Sequence, residues 1–144
     1  MIIKQISIFV ENKAGRLAEI TEAIAAAGID IRALSIADTT DFGILRLIVD
    51  KPEAAALALK EAGLTVSITN VIAVGIDDTP GAFSVPMQIL ADADIDVEYM
   101  YAFITRKSEK AYVILRVADN DAAAKVLADN GVEILSEEEF HEMM

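Results

Sequence analysis

The chain has 144 residues, 54% of them hydrophobic, with 24 Asp and Glu against 12 Lys and Arg and no cysteine. The hydrophobic share excludes a disordered chain, and the lack of cysteine excludes disulfides, a thiolate nucleophile and zinc–thiolate sites. The acidic balance excludes nucleic acid and anionic membranes as partners, since both need clustered positive charge.

The first stretch, Ile2 to Val10, alternates in polarity and predicts a strand with Ile6, Ile8 and Val10 on one face. Lys4 and Gln5 interrupt its apolar run, so it does not read as a signal peptide. After a glycine-containing loop, Leu17, Ile20, Ala23, Ile24 and Ala27 recur at helical spacing, and Gly28 closes that helix. Residues 31–37 predict a second strand, "DTTD" at 38–41 a turn and "FGILRLIV" at 42–49 a third strand. Pro52 opens an alanine-rich helix that Gly63 ends, and "LTVSIT" at 64–69 supplies a last strand. The order is βαββαβ, the ferredoxin-like α+β arrangement with an antiparallel sheet and helices on one face.

From Asn70 the order begins again. "NVIAVGI" predicts a strand, "DDTPGAF" a loop and "SVPMQILADA" a helix. "IDVEYMYAFI" and "KAYVILRV" predict paired strands, followed by a helix over "NDAAAKVLADNG" and a final strand "VEIL". The glycines of the two loops, Gly15 and Gly81, lie 66 positions apart. Aligning "FGILRLIV" with "YVILRVAD" at 112–119 gives an offset of 70 instead, which places four extra residues near "TRKSEK". An "AAA" in each second helix, at 54–56 and 122–124, also repeats. Two domains are therefore expected, residues 1–69 and residues 70–144. Each alone has a marginal core, so the copies should pack together. The tail "SEEEFHEMM" predicts a short helix capped by Ser136, covering an edge or a partner.

A strand, a glycine loop, an amphipathic helix and a Gly-Ile-Asn-Ile-like exit stand here as "NKAGRLAEI…AGIDI" and "DTPGAFSVP…ADIDV". This pattern resembles the ACT domain, and the resemblance runs through essentially the whole chain as a tandem pair. It implies a regulatory module that binds small ligands, most often amino acids, at interfaces between paired domains. Such modules usually accompany enzymes of amino-acid metabolism.

The loops have a physical logic of their own. Helix-start amides and the helix dipole favour a carboxylate, and side-chain oxygens can accept from an ammonium group. The expected ligand-binding residues are Asn12, Lys13, Ala14, Gly15, Arg16, Leu17 and Asp30 in the first copy. In the second they are Asp78, Thr79, Pro80, Gly81, Ala82, Phe83 and Asp96. The competing reading is that Asn12 and Asp78 only cap helices, that the glycines only permit turns, and that Asp30 and Asp96 serve surface turns. Pro86 is expected to kink or shorten the first turns of its helix.

If Ile6, Ile8, Leu34 and Ile36 face the helices, alternation puts Tyr99, Tyr101 and Phe103 on the open face of the second sheet. Burial against the other copy or a second subunit is expected for them. Arg46 and Arg116 match in the repeat and are expected on the same open faces, able to grip a carboxylate or to pair with acids.

Other chemistries fail on the residues. "DADID" at 92–96 lacks the Gly and Glu of a calcium loop, since Val97 and Phe103 stand there. No phosphate-binding glycine motif is present, and a lone His141 near the end supplies no hydrolytic base. No apolar run approaches the roughly 20 residues that span a bilayer. The expectation is a cytoplasmic, homodimeric amino-acid sensor without enzymatic activity, cofactor or metal. The alternative is a regulatory subunit held by a biosynthetic enzyme such as acetolactate synthase.

Overall fold

The computed structural model describes residues 2–38, 41–103, 105 and 110–143, with Asp38 described in its backbone alone. The middle of the expected "DTTD" turn, 39–40, and most of "TRKSEK", 106–109, lie outside those residues. The elements are β1 (Ile3–Glu11), α1 (Arg16–Ala26), β2 (Ile31–Asp38), β3 (Phe42–Val49), α2 (Pro52–Glu61) and β4 (Thr65–Asp77). They continue with α3 (Ser84–Asp92), β5 (Tyr99–Phe103), β6 (Lys110–Arg116), α4 (Asn120–Asp129), β7 (Glu133–Ile134) and α5 (Glu137–Met143).

The chain divides into two compact units, Lys4–Thr69 and Asn70–Met144, the latter with Met1–Ile3. The first orders its strands β2-β3-β1-β4 and the second β5-β6-β4-β7. The registered neighbours run antiparallel. Both are βαββαβ units with the same order, so the repeat is a repeat of topology. In place of the two strands expected at 64–69 and 70–76, β4 is a single strand of 13 residues. The boundary between Thr69 and Asn70 falls inside it. No Gly or Pro interrupts residues 65–74, and six β-branched residues among the eight from Thr65 to Ile72 favour an extended backbone.

In the first unit, Ile6, Ile8 and Val10 of β1 pack with Leu45, Leu47 and Val49 of β3 beneath Ile20 and Ile24 of α1 and Ala55 and Leu59 of α2. In the second, Ile72, Val74 and Ile76 pack with Val113 and Leu115 beneath Leu90 of α3 and Ala123 and Leu127 of α4. Leu34 and Ile36 lie opposite Leu47 and Leu45, hence on the helix face. They are nevertheless 59% and 50% exposed, because β2 is the edge strand.

The strand registers correct the alignment of the repeat. Ile6 pairs with Leu47, and Ile72 with Leu115. The first strands are thus 66 apart (72 − 6) and the third strands 68 apart (115 − 47), so the second copy gains two residues here, not four. The two "AAA" stretches carry the same offset of 68 (122 − 54). Arg46 therefore corresponds to Ile114, and the two arginines share a face without sharing a position.

The open face of the second unit is covered by its own tail. Ser136 and Glu139 form a reciprocal cap, the Glu139 amide donating to Ser136 Oγ at 3.1 Å and the Ser136 amide to Glu139 Oε1 at 3.3 Å. Helix α5 then brings Phe140, fully buried, within 5.0 Å of Phe103, which stacks on Tyr112. Phe103 and Tyr112 are cross-strand partners on the face opposite Val113 and Leu115. The expectation that another copy or subunit buries Phe103 is thereby corrected, while Tyr99 and Tyr101 are half-buried.

Two predictions follow from this packing. Phe140→Ala should destabilise the second unit by about 3–5 kcal/mol, measured by denaturant unfolding. Asp94 has φ 58° at the position where the first copy has Gly28 at φ 70°. Asp94→Gly should therefore stabilise the chain by about 0.5–1 kcal/mol in the same experiment, as the left-handed region costs an L side chain more than glycine.

Candidate functional site

In the first unit, α1 starts directly after Gly15, whose φ of 85° only glycine adopts without strain. Gly15 occupies the N-cap position and offers no side-chain cap, and Asn12 lies three residues earlier. Both loop cations are engaged by neighbours: Lys13 lies 3.4 Å from Glu11, and Arg16 lies 3.0 Å from Glu19 and 3.7 Å from Glu11. Asn12, Lys13, Arg16 and Leu17, with Glu11, Ile36 and Gly43, line a hollow of about 140 Å³. Ala14 and Gly15 are exposed beside it.

The second loop is built differently. Its glycine, Gly81, is again left-handed at φ 83°, yet α3 begins only at Ser84. Residues 80–83 form turns in which the Ala82, Ser84 and Val85 amides donate to the carbonyls of Thr79, Gly81 and Ala82. Those donors are committed within the chain, which corrects the expectation that the first amides of this helix all stand open. The N-cap position falls to Phe83, without a side-chain cap, so Asp78 does not cap this helix either. Pro86 is buried in the first turn of a helix of nine residues, against eleven in α1. There its missing N–H is one that has no intrahelical partner in any case, so α3 starts late and Pro86 interrupts no hydrogen bond of the helix.

The second loop borders a cavity of about 450 Å³, far larger than the first unit's hollows of about 140 Å³ at its loop and about 170 Å³ beside Phe9 and Thr65. Thr79, Pro80, Gly81 and Ala82 form one side with Val85 and Pro86, and Asn130–Glu133 form another. Gly75 and Asp77 of β4 and Lys110 of β6 complete it. Lys110 Nζ donates to Glu133 Oε2 at 3.0 Å. That hydrogen bond, and then the charge of Glu133, raise the Lys110 pKa above the ordinary lysine value, with a smaller contribution from Asp77. The pair is 41% and 35% exposed, so it stabilises the fold by at most about 1 kcal/mol. Gly75 makes room for it: a Cβ there would stand 2.5 Å from Glu133 Oε2 and 3.0 Å from Tyr112 Cε1.

Of the expected site residues, Thr79–Ala82 line the large cavity, whereas Asp78 and Phe83 are exposed on the same loop and do not. Asp30 and Asp96 are not brought to the loops. Each follows the far end of a helix, and α1 alone carries the chain about 16 Å away (11 residues at 1.5 Å). Asp30 instead holds its place at the start of β2, its amide donating to Asp50 Oδ1 at 3.0 Å and its carboxylate 3.4 Å from Arg32. Arg116 is likewise occupied, 3.1 Å from Glu98 and donating to the Asn70 carbonyl at 3.0 Å. The sequence reading missed Gly75, Asp77, Lys110 and Glu133. Their only signal was a glycine inside the run "VIAVGID", which marks close approach of another group. Among the described residues, no three acidic, His or Cys side chains are grouped to hold a metal. Among the described residues, no helix is long and apolar enough to cross a membrane.

Known proteins agree with this architecture. The crystal structure of protein BT0572 from Bacteroides thetaiotaomicron is 39% identical, covering 99% of this chain and 97% of its own, with a TM-score of 0.91. The ligand-free regulatory subunit of aspartate kinase from Thermus thermophilus is 20% identical, covering 89% of this chain and 92% of its own, at TM-score 0.62. The corresponding subunit from Thermus flavus is 19% identical over 88% and 90%, at 0.60. No curated protein matches the sequence. The family described as the ACT domain pair matches residues 1–144, and with the duplicated βαββαβ fold in place the chain belongs to that family.

Proposed function

We propose that this chain is a regulatory protein that senses an amino acid in the cavity of its second unit and passes the signal to an enzyme of amino-acid metabolism. The single observation that carries the reading is that cavity, where a helix-start loop, an ammonium group and two carboxylates converge within an otherwise uncharged lining. An α-amino acid offers the complementary anion and cation. A concave site in which a few charged and polar groups converge is a usual place for a small ligand to be held and oriented. Signalling requires that the ligand bind two states of the protein with different affinity. The reading places the protein in the cytoplasm as a homodimer without catalytic activity of its own. A second reading, a subunit held permanently by a catalytic chain, draws on the aspartate kinase regulatory subunits that share the fold.

Thermal unfolding of the purified chain, followed with each standard amino acid in turn, tests the proposal. A ligand bound only by the folded state stabilises it, by about 2.7 kcal/mol at a hundredfold excess over Kd. A selective, saturable rise in Tm confirmed by calorimetry is expected. A chain that no amino acid shifts, and that co-purifies with a catalytic subunit, would favour the second reading.

A further inference from the structure

The corrected repeat shows what has become of the same place in each unit. With offsets of 66 for the first strand and 68 for the third, Gly75 corresponds to Phe9 and Lys110 to Phe42. The offset of 68 also carries Gly63 onto Gly131, both left-handed, and hence Thr65 onto Glu133. The first unit therefore holds an aromatic pair, Phe9 and Phe42 with centroids 5.2 Å apart, at the positions that carry Gly75 and Lys110 in the second. There a bare backbone carries a polar pair beside a cavity.

We infer that the ligand site exists in the second unit alone, one per chain, and that it takes a zwitterionic amino acid with an uncharged aliphatic side chain, bound between Lys110 and Glu133. The inference rests on the amino-acid reading above and deepens it. Lys110 and Glu133 are half-exposed and partner each other at 3.0 Å, so a ligand carrying both charges can exchange with that pairing without stranding either group. The ligand carboxylate takes Lys110 and its ammonium takes Glu133, with Asp77 adding a second negative charge to the lining. Two carboxylates against one ammonium group leave the lining net negative and reject acidic side chains. The remaining wall, with Ala82, Val85, Pro86 and Val132, offers aliphatic surface to the side chain. In the first unit Phe9 replaces the glycine floor, and both loop cations are held by Glu11 and Glu19.

Calorimetric titration of the intact chain with leucine, isoleucine, valine and alanine, and with aspartate and glutamate, tests this. One site per chain is expected for at least one aliphatic amino acid, with no binding of the acidic two. Lys110→Ala and Glu133→Gln should each weaken binding tenfold or more, while Lys125→Ala, a surface charge control, leaves it unchanged. Gly75→Ala, which displaces Glu133 while keeping both charges, should weaken it as well. Thermal melts of the variants verify that they fold. The deaminated and the decarboxylated analogues of the bound amino acid should each fail to compete. Two equal sites per chain, undiminished affinity in both charge variants, or tight binding of aspartate would overturn the inference and leave the amino-acid reading standing. Absence of binding by every amino acid would remove both.

Discussion

A four-stranded sheet has two faces, and the two helices of a βαββαβ unit cover one of them. What becomes of the second face governs much of this molecule. In the second unit the chain supplies its own cover, folding α5 back so that Phe140 closes over Phe103 and Tyr112. The capping of Ser136 by Glu139, and of Glu139 by Ser136, sets where that helix begins. The first unit has no such tail. Its corresponding face keeps a chain of small polar groups, Gln5 donating to Ser7 and Ser7 within 3.3 Å of Thr69, and leaves Phe9 and Phe42 about half exposed.

The same duplicated frame has diverged at its loops. Both units turn on a left-handed glycine, yet one helix starts at once and the other three residues later. With the late start of α3 and a glycine in the strand beside it, the second unit has a hollow of about 450 Å³ where the first, with Phe9 and Thr65 in the wall, has one of about 170 Å³. A glycine-to-phenylalanine difference at one strand position thus separates a polar hollow from an aromatic surface. Duplication supplied the scaffold, and single positions set what lines the equivalent hollow in each copy.

How much of this could be read from the residues depended on range. Alternation in Ile6, Ile8 and Val10 and helical spacing in Leu17, Ile20 and Ile24 are local signals, and they placed the elements and the repeat. The joining of two expected strands into β4 was less visible, because the change of unit at Thr69 leaves no mark in a run rich in β-branched residues and free of Gly and Pro. The repeat was over-aligned by two residues because the Ile-Leu-Arg motif matches by composition, while register is set by hydrogen bonds. Thr79–Ala82, which line the cavity, were among the residues the loop pattern pointed to. Lys110 and Glu133 were not, since they are 23 residues apart and meet only where β6 and β7 flank Gly75. Asp30 and Asp96 suit an ammonium group in their chemistry, but each follows the far end of the helix that its loop begins, a separation that spacing alone does not show.

The proposed division of roles, in which the second unit alone receives an amino acid, has a direct readout. Backbone amide spectra of the isotopically labelled chain, recorded by NMR through a titration with its amino acid, test it most directly. Shifts confined to residues 75–82, 110–112 and 130–133, with 12–17 unmoved, are predicted. Equal shifts in the 12–17 loop would contradict it.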